Sequence, residues 1–382
     1  MAGAVAARRP DPSATCLPRH PLQRSADGCG NRPEDDEMRS NVRHNANSLY
    51  AKPAACPIPT DVLDLFDLAA DIIAMDQALP ALARKGRGAI SNATGRFEPE
   101  TRFATDDGWG IGDAEAPPLD TQYLRDTAKT VITRNDSPDI SFDRSINPYR
   151  GCEHGCVYCF ARPTHAYLGL SPGLDFESRI FVKEDAPELL RAELSKPSYK
   201  PKPIALGVNT DAYQPIERKI ELTRRILLVL QEFRHPVTII TKSALVQRDI
   251  DIIAAMARDH LANAAVSLTT LDRDLARKME PRAATPERRL ETIAALAAAG
   301  IPTTVMAAPM IPALNDPELD HILEAAHARG AQNAGYVMIR LPLELVTLFS
   351  EWLEANFPGR AKHVMSLIHQ SRGGKAYQSE FG

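Results

Sequence analysis

A chain of 382 residues is long enough for one large domain with extensions. Its apolar fraction of 44% and charged fraction of 25% are those of an ordinary globular protein, and no run of about 18 apolar residues is present to cross a membrane. The net charge of −4 supplies no global basic field, so nucleic-acid binding would have to come from a local patch.

Arg8 and Arg9 follow a short Ala-rich run, the reverse of the order in a signal peptide. Cys16, Cys29 and Cys56 are irregularly spaced, which speaks against a disulfide framework and for a reducing, cytoplasmic setting. Residues 1–58 are rich in Pro, Arg, Asp, Ser and Asn without a sustained period, so a disordered extension is expected. A start site chosen too far upstream, with Met75 as the alternative, would explain the same text. Residues 60–75 carry Leu63, Phe66, Leu68, Ile72 and Ile73 opposite Asp64, Asp67 and Asp71, the pattern of a short amphipathic helix. That helix opens a segment, 59–135, whose remainder is an arm rich in glycine and arginine. Lys85-Gly86-Arg87-Gly88, Gly95-Arg96-Phe97 and Asp106-Asp107-Gly108-Trp109-Gly110 either pack irregularly on a domain or place amides and guanidinium groups on an anion.

Short strands are expected within 130–135 and 139–146. A rhythm of strand and helix follows from residue 203 onward. Strands are expected over 203–208, 236–241, 264–270, 302–307 and 335–340. Helices are expected over 216–233 and 247–259, from the Thr285-Pro286-Glu287 cap to Gly300, from Asp316-Pro317-Glu318 to Gly330, and over 342–356. Strand starts about thirty residues apart are βαβ units with right-handed crossovers. With a first strand just before Cys152 there are six strand–helix pairs, which fit an open barrel or a doubly wound sheet equally well. In either fold the site belongs at the carboxyl ends of the strands. Residues 357–382 are expected as an irregular, glycine- and charge-rich tail, open to truncation relative to relatives.

The chemistry-bearing stretch is Asn147–Phe160, where Cys152, Cys156 and Cys159 are spaced Cys-x3-Cys-x2-Cys and Tyr158 precedes the third. Three thiolates on one tight loop suit a soft metal centre with one coordination position left over. A zinc site completed by His154 or His165 is the rival reading, but structural zinc sites use paired short spacings and no cysteine follows Cys159.

This spacing resembles the signature of the radical S-adenosylmethionine (radical SAM) enzymes. The resemblance implies a partial (β/α)6 TIM-type barrel, an α/β fold, over 136–356, with Cys152, Cys156 and Cys159 as ligands of a 4Fe–4S cluster. The fourth iron would be chelated by S-adenosyl-L-methionine, and Tyr158 would lie near the adenine. It also implies cofactor contacts at the strand ends: Asn209, Thr210 and Asp211 after the second strand, Lys242 after the third, and Ser267 on the fourth. Arg340, at the end of the sixth, would face substrate. A flavodoxin or ferredoxin would supply the electron.

Asn147–Phe160, the following Ala161–His165, and Asn209–Glu217 are similar to the radical SAM proteins related to spore photoproduct lyase; the Gly86–Gly110 text is similar to one branch of them. The likeness covers about residues 84–382. Spore photoproduct lyase uses a cysteine near the second strand's end as hydrogen donor; here Val208 stands at that position, and Thr210 at the place of a serine that contacts the cofactor. Reversal of thymine photoproducts by that route is therefore not expected. Arg150, Arg162 and the Lys196–Lys202 run allow a phosphate-binding rim, which keeps nucleic acid among the candidate substrates. A non-catalytic iron–sulfur or electron-transfer protein and a zinc-stabilised nucleic-acid binder are the other function classes.

Overall fold

The computed structural model describes residues 84–101, 119–135 and 142–378. The expected extension over 1–58, the helix over 60–75, Asp106–Gly110, and Cys16, Cys29 and Cys56 lie outside the described residues. Ten strands are described: β1 (Gln122–Arg125), β2 (Ile132–Arg134), β3 (Arg144–Ile146), β4 (Tyr149–Arg150), β5 (Arg179–Val182), β6 (Ile204–Leu206), β7 (Val237–Thr241), β8 (Ala262–Ser267), β9 (Thr303–Met310) and β10 (Asn333–Met338). The helices are α1 (Leu174–Ser178), α2 (Ala186–Leu194), α3 (Glu217–Ile220), α4 (Leu222–Glu232), α5 (Ile250–Arg258), α6 (Arg273–Met279), α7 (Pro286–Ala298), α8 (Leu319–Ala328), α9 (Leu345–Asn356) and α10 (Ala361–Gln370).

The order of the large sheet is β10-β9-β8-β7-β6-β3-β2. All neighbours from β3 to β10 are parallel, and β2 runs antiparallel to β3. A doubly wound sheet reverses its strand order at a switch point. Here the order is strictly sequential, so the six parallel strands form a partial barrel, with no pairing between β2 and β10 among the described residues. Alternating burial on β7 sends Val237, Ile239 and Thr241 inward. Ile226, Leu227 and Leu230 of α4, Ile253 and Met256 of α5, and Ile293 and Leu296 of α7 close the main core over the strands. No helix among the described residues is long and apolar enough to cross a membrane.

Three features differ from the sequence expectation. The helix expected over 216–233 is broken at Glu221, whose φ of +48° lies in the left-handed region. The carboxylate of Glu217 is turned inward, accepting from Thr223 N at 3.0 Å and Arg248 at 2.8 Å and from the Tyr149 hydroxyl, so it caps α4 instead of continuing one helix. A second sheet, β1-β5-β4, was not foreseen; its strands are short, and β1 is exposed throughout, leaving no alternation to detect. The C-terminal segment carries a regular helix, α10, which buries Ala361, Val364 and Ile368 against α9. Their spacing is helical, but glycine and charge on both flanks masked it.

Candidate metal and cofactor site

The cysteine loop leaves the small sheet through β4 and crosses the carboxyl ends of the barrel strands. Gly151 makes the entry turn at φ +81°, where a Cβ would sit 2.8 Å from the Phe176 carbonyl oxygen. Backbone bonds then fix the loop on both sides: Cys152 N to Phe176 O at 2.9 Å, Val157 N to Met279 O at 3.1 Å, and Cys159 N to Cys156 O at 3.2 Å. Thr210, just beyond β6, donates its hydroxyl to Gly151 O at 2.7 Å. Gln214 meets that hydroxyl at 3.2 Å and accepts from Glu153 N at 2.9 Å.

Behind the loop, Arg162 is fully buried. Its guanidinium donates to Cys156 O (2.9 Å), Gly155 O (3.3 Å), Pro172 O (3.1 Å) and Gly173 O (2.9 Å), and pairs with Glu177. The phosphate-rim expectation for Arg162 is corrected: buried, with its donors committed to four backbone carbonyls and Glu177, it cannot reach a ligand in solution. Arg150 is exposed but bonds Asp126 at 2.7 Å. The glycine–arginine arm does cradle an anion, and the anion is internal. Gly88 N and Ala89 N donate to the Glu177 carboxylate at 2.9 and 2.7 Å, while Arg87 bonds Glu177 O at 2.7 Å.

The three thiols are unbridged. Cys152 clusters with Ala161 and Phe176, and Cys156 belongs to a larger buried cluster that includes Ile90, Val157 and Tyr158; Cys159 lies against both clusters. Cys159 is the only one of the three that is partly open, and Phe160 after it is exposed. Burial holds the Cys152 thiol well above its ordinary pKa, and pushes Cys156 up to about 12 against the opposing pull of Lys242.

Among the described residues no group of three His, Cys, Asp or Glu side chains is arranged to hold a single metal ion. The two histidines a zinc site would need are turned elsewhere. His154 Nδ1 lies 3.3 Å from Asp211, and His165 Nε2 lies 3.0 Å from Arg179 O, a carbonyl to which it can only donate. A 4Fe–4S cluster makes a different demand, placing each thiolate on its own iron. Three thiols spread along one loop around Cys159 fit that demand.

The strand-end residues fall into two sets. Asp211 is buried and saturated: Oδ1 accepts from Thr241 (2.7 Å) and Tyr213 N (2.8 Å), and Oδ2 from Lys242 N (2.9 Å). Burial opposes its charge, but His154 and these donors outweigh burial and hold its pKa below the usual carboxylate range. Asp211 thus ties the end of β6 to β7, and Asn147 Oδ1 ties the end of β3 to that of β6 by accepting Val208 N (3.0 Å) and Asn209 N (2.8 Å). The Asn209 side chain is exposed. Lys242 stands under the loop, its ammonium 5.7 Å from the centre of the Tyr158 ring. Ser267 ends β8, buried, with its carbonyl accepting from Arg289 at 3.1 Å. Arg340 lies beyond β10, lining a hollow with Arg96, Phe160, Tyr167, Leu343 and Tyr377.

Sequence reasoning missed the buried group beneath Tyr158. Glu280 accepts from the Tyr158 hydroxyl, from Thr269 (2.6 Å) and from Arg289. Burial opposes its ionisation, yet Arg289 and Lys242 bring its pKa down to about 2. Burial likewise opposes the charge on Lys242, which Cys156 and Glu280 more than offset, so its pKa is raised.

With this geometry established, the comparisons with known proteins decide the family. The Radical SAM superfamily model matches residues 146–326, from the end of β3 into α8. An uncharacterized protein of Methanocaldococcus jannaschii is 30% identical over 237 residues, 62% of this chain and 84% of that protein. The chain belongs to the radical SAM superfamily. Uncharacterized proteins of Mycobacterium tuberculosis and Mycobacterium bovis are 39% identical over 221 residues, 57% of this chain. The match spans 65% of the length of these mycobacterial relatives. Solved structures of spore photoproduct lyase variants superpose with TM-scores of 0.46 and 0.47 at 15% and 14% identity. They cover 62% and 68% of this chain, and 66% and 82% of theirs.

Proposed function

We propose that this chain is a radical SAM enzyme in which Cys152, Cys156 and Cys159 hold a 4Fe–4S cluster whose fourth iron binds S-adenosyl-L-methionine. Such a cluster, when bound, would supply one-electron reductive cleavage of the cofactor and so 5′-deoxyadenosyl radical chemistry toward a substrate hydrogen, with the electron drawn from an external donor such as a flavodoxin or ferredoxin. The observation that carries the reading is the placement of three unbridged thiols on one loop over the ends of the parallel strands.

The chain's own residues supply orientation. The Lys242 ammonium, only 17% exposed, is left with a 4.0 Å contact to Glu280, whose oxygens are held by other donors. It is the cation that a cofactor carboxylate would meet, beside the Tyr158 ring at the adenine side. Ser267, Thr210 and Asn209 line the strand ends as further cofactor positions, whereas Asp211 acts through Lys242 N and His154. Substrate would approach through the hollow lined by Phe160 and Arg340. Nucleic acid remains one substrate class; lyase activity on thymine photoproducts is not part of the proposal, because Val208 offers no thiol.

The test is anaerobic reconstitution followed by iron, sulfide and zinc analysis and electron paramagnetic resonance of the dithionite-reduced protein. Near-stoichiometric cluster with a spectrum that changes when S-adenosylmethionine is added is the expected result. Stoichiometric zinc, or a cluster spectrum indifferent to the cofactor, refutes the reading.

A further inference from the structure

We propose that Glu280 is the positioning residue of this site: its enclosed carboxylate sets the Tyr158 ring and the Lys242 ammonium side by side where the cofactor would meet them. This rests on the functional reading above and extends it to a residue outside the cysteine loop and the strand ends.

Glu280 directly follows α6 and has no exposure to solvent. An isolated buried carboxylate is strongly disfavoured, so its partners define what it is for. Arg289, itself buried, pairs with Oε2 and is anchored in turn by Ala284 O at 2.8 Å and Ser267 O at 3.1 Å. That pair balances charge within itself. Oε1 is then available to the site, and it takes the Tyr158 hydroxyl, the Thr269 hydroxyl at 2.6 Å, and Lys242 at 4.0 Å. The Tyr158 oxygen lies 3.4 Å from Thr269 Oγ1, but both hydroxyls give their one proton to Oε1, so the carboxylate is what holds the far end of the ring. With its end fixed, the ring presents its face to the Lys242 ammonium at 5.7 Å.

The same segment grips the loop by its backbone on either side of Glu280. Met279 O accepts from Val157 N at 3.1 Å, and Arg282 N donates to His154 O at 3.3 Å. The carboxylate is thereby carried on a segment bonded to the loop on both sides of Cys156. A structural filler would need no charge here. Glu280 and Arg289 balance each other, which leaves the Lys242 ammonium sharing that carboxylate at 4.0 Å and open to a further anionic group.

The test uses the full chain, anaerobically reconstituted, and measures equilibrium affinity for S-adenosylmethionine without reductant, alongside iron content and thermal midpoint. Glu280→Gln, Tyr158→Phe and the double variant are compared with the parent. Glu280→Gln should weaken cofactor binding roughly tenfold to a hundredfold, as loss of a supporting partner commonly does, with iron content retained. Tyr158→Phe should weaken it less, and the double variant should bind no worse than Glu280→Gln, because the hydroxyl acts only through that carboxylate. Parent-like affinity in Glu280→Gln, or losses that multiply in the double variant, overturns the inference. If Glu280→Gln does not fold, Tyr158→Phe decides alone: parent-like affinity overturns the inference, and weakened affinity with retained iron supports it. A parent that binds iron but no S-adenosylmethionine refutes the cofactor reading itself, a separate failure visible before any variant is made.

Discussion

Gly88→Ala tests how the N-terminal arm supports the cysteine loop. A Cβ at Gly88 would lie 1.8 Å from Gly155 O, 3.0 Å from Gly155 C and 3.3 Å from Val157 N. All three are backbone atoms of the loop, so no flexible side-chain tip can yield, and the arm must lift. Lifting breaks the bonds from Gly88 N and Ala89 N to the Glu177 carboxylate, at 2.9 and 2.7 Å. Hydrogen bonds to a charged group contribute roughly 1.5–3 kcal/mol each, so the pair accounts for about 3–6 kcal/mol. Ile90 also leaves the buried cluster to which Cys156 and Tyr158 belong. The assay is urea unfolding of the metal-free protein combined with limited trypsin digestion at Arg84 and Arg87. Gly86→Ala serves as control: φ is +75° but nothing lies within 4 Å, so only the left-handed backbone penalty of about 1 kcal/mol applies. Gly88→Ala should lower stability well beyond the control or expose the arm to cleavage. An unchanged midpoint together with unchanged tryptic resistance refutes the close approach of arm and loop.

Other expectations concern single residues. Arg162→Lys breaks a buried guanidinium–carboxylate pair and strands loop carbonyls, and should cost about 3–5 kcal/mol in urea unfolding; a near-neutral effect would show that the loop does not depend on it. Burial pushes the pKa of His165 down to about 4. In the unfolded chain, where it titrates near ~6.5, His165 binds its proton first, so its stabilising contribution is complete above that pH and is lost as pH falls towards 4. The total is on the order of 3 kcal/mol. His165→Asn should flatten the fall in urea midpoint between pH 7 and pH 5, and parallel curves for parent and variant would contradict the assignment. Cys152→Ala, Cys156→Ala and Cys159→Ala should each reduce bound iron to background while circular dichroism keeps the parent's shape; full iron retention in any of them removes that cysteine from the ligand set.

The cysteine spacing is legible because three cysteines on one loop are a local pattern, and the strand rhythm because each βαβ unit repeats its own hydrophobic period. Periodicity left barrel and doubly wound sheet open; only the sequential pairing from β3 to β10 separates them. The positioning groups were invisible for a different reason. Glu280 meets Tyr158 across 122 positions, and Glu177 meets Gly88 across 89, distances over which no sequence pattern operates. Sequence alone points Arg162 to the surface, because buried arginines are rare and nothing local reveals the four carbonyls and one carboxylate that enclose it. Asp211 was identified from its place after the second strand, but its bonds show it tying strand ends together.

The most direct measurement of the central claim is the product formed when anaerobically reconstituted, dithionite-reduced protein is incubated with S-adenosylmethionine. The account predicts 5′-deoxyadenosine and methionine in equal amounts, absent when Cys156 is replaced by alanine. An iron-loaded protein that forms neither product, or a Cys156→Ala variant that forms both at the parent's rate, would contradict it.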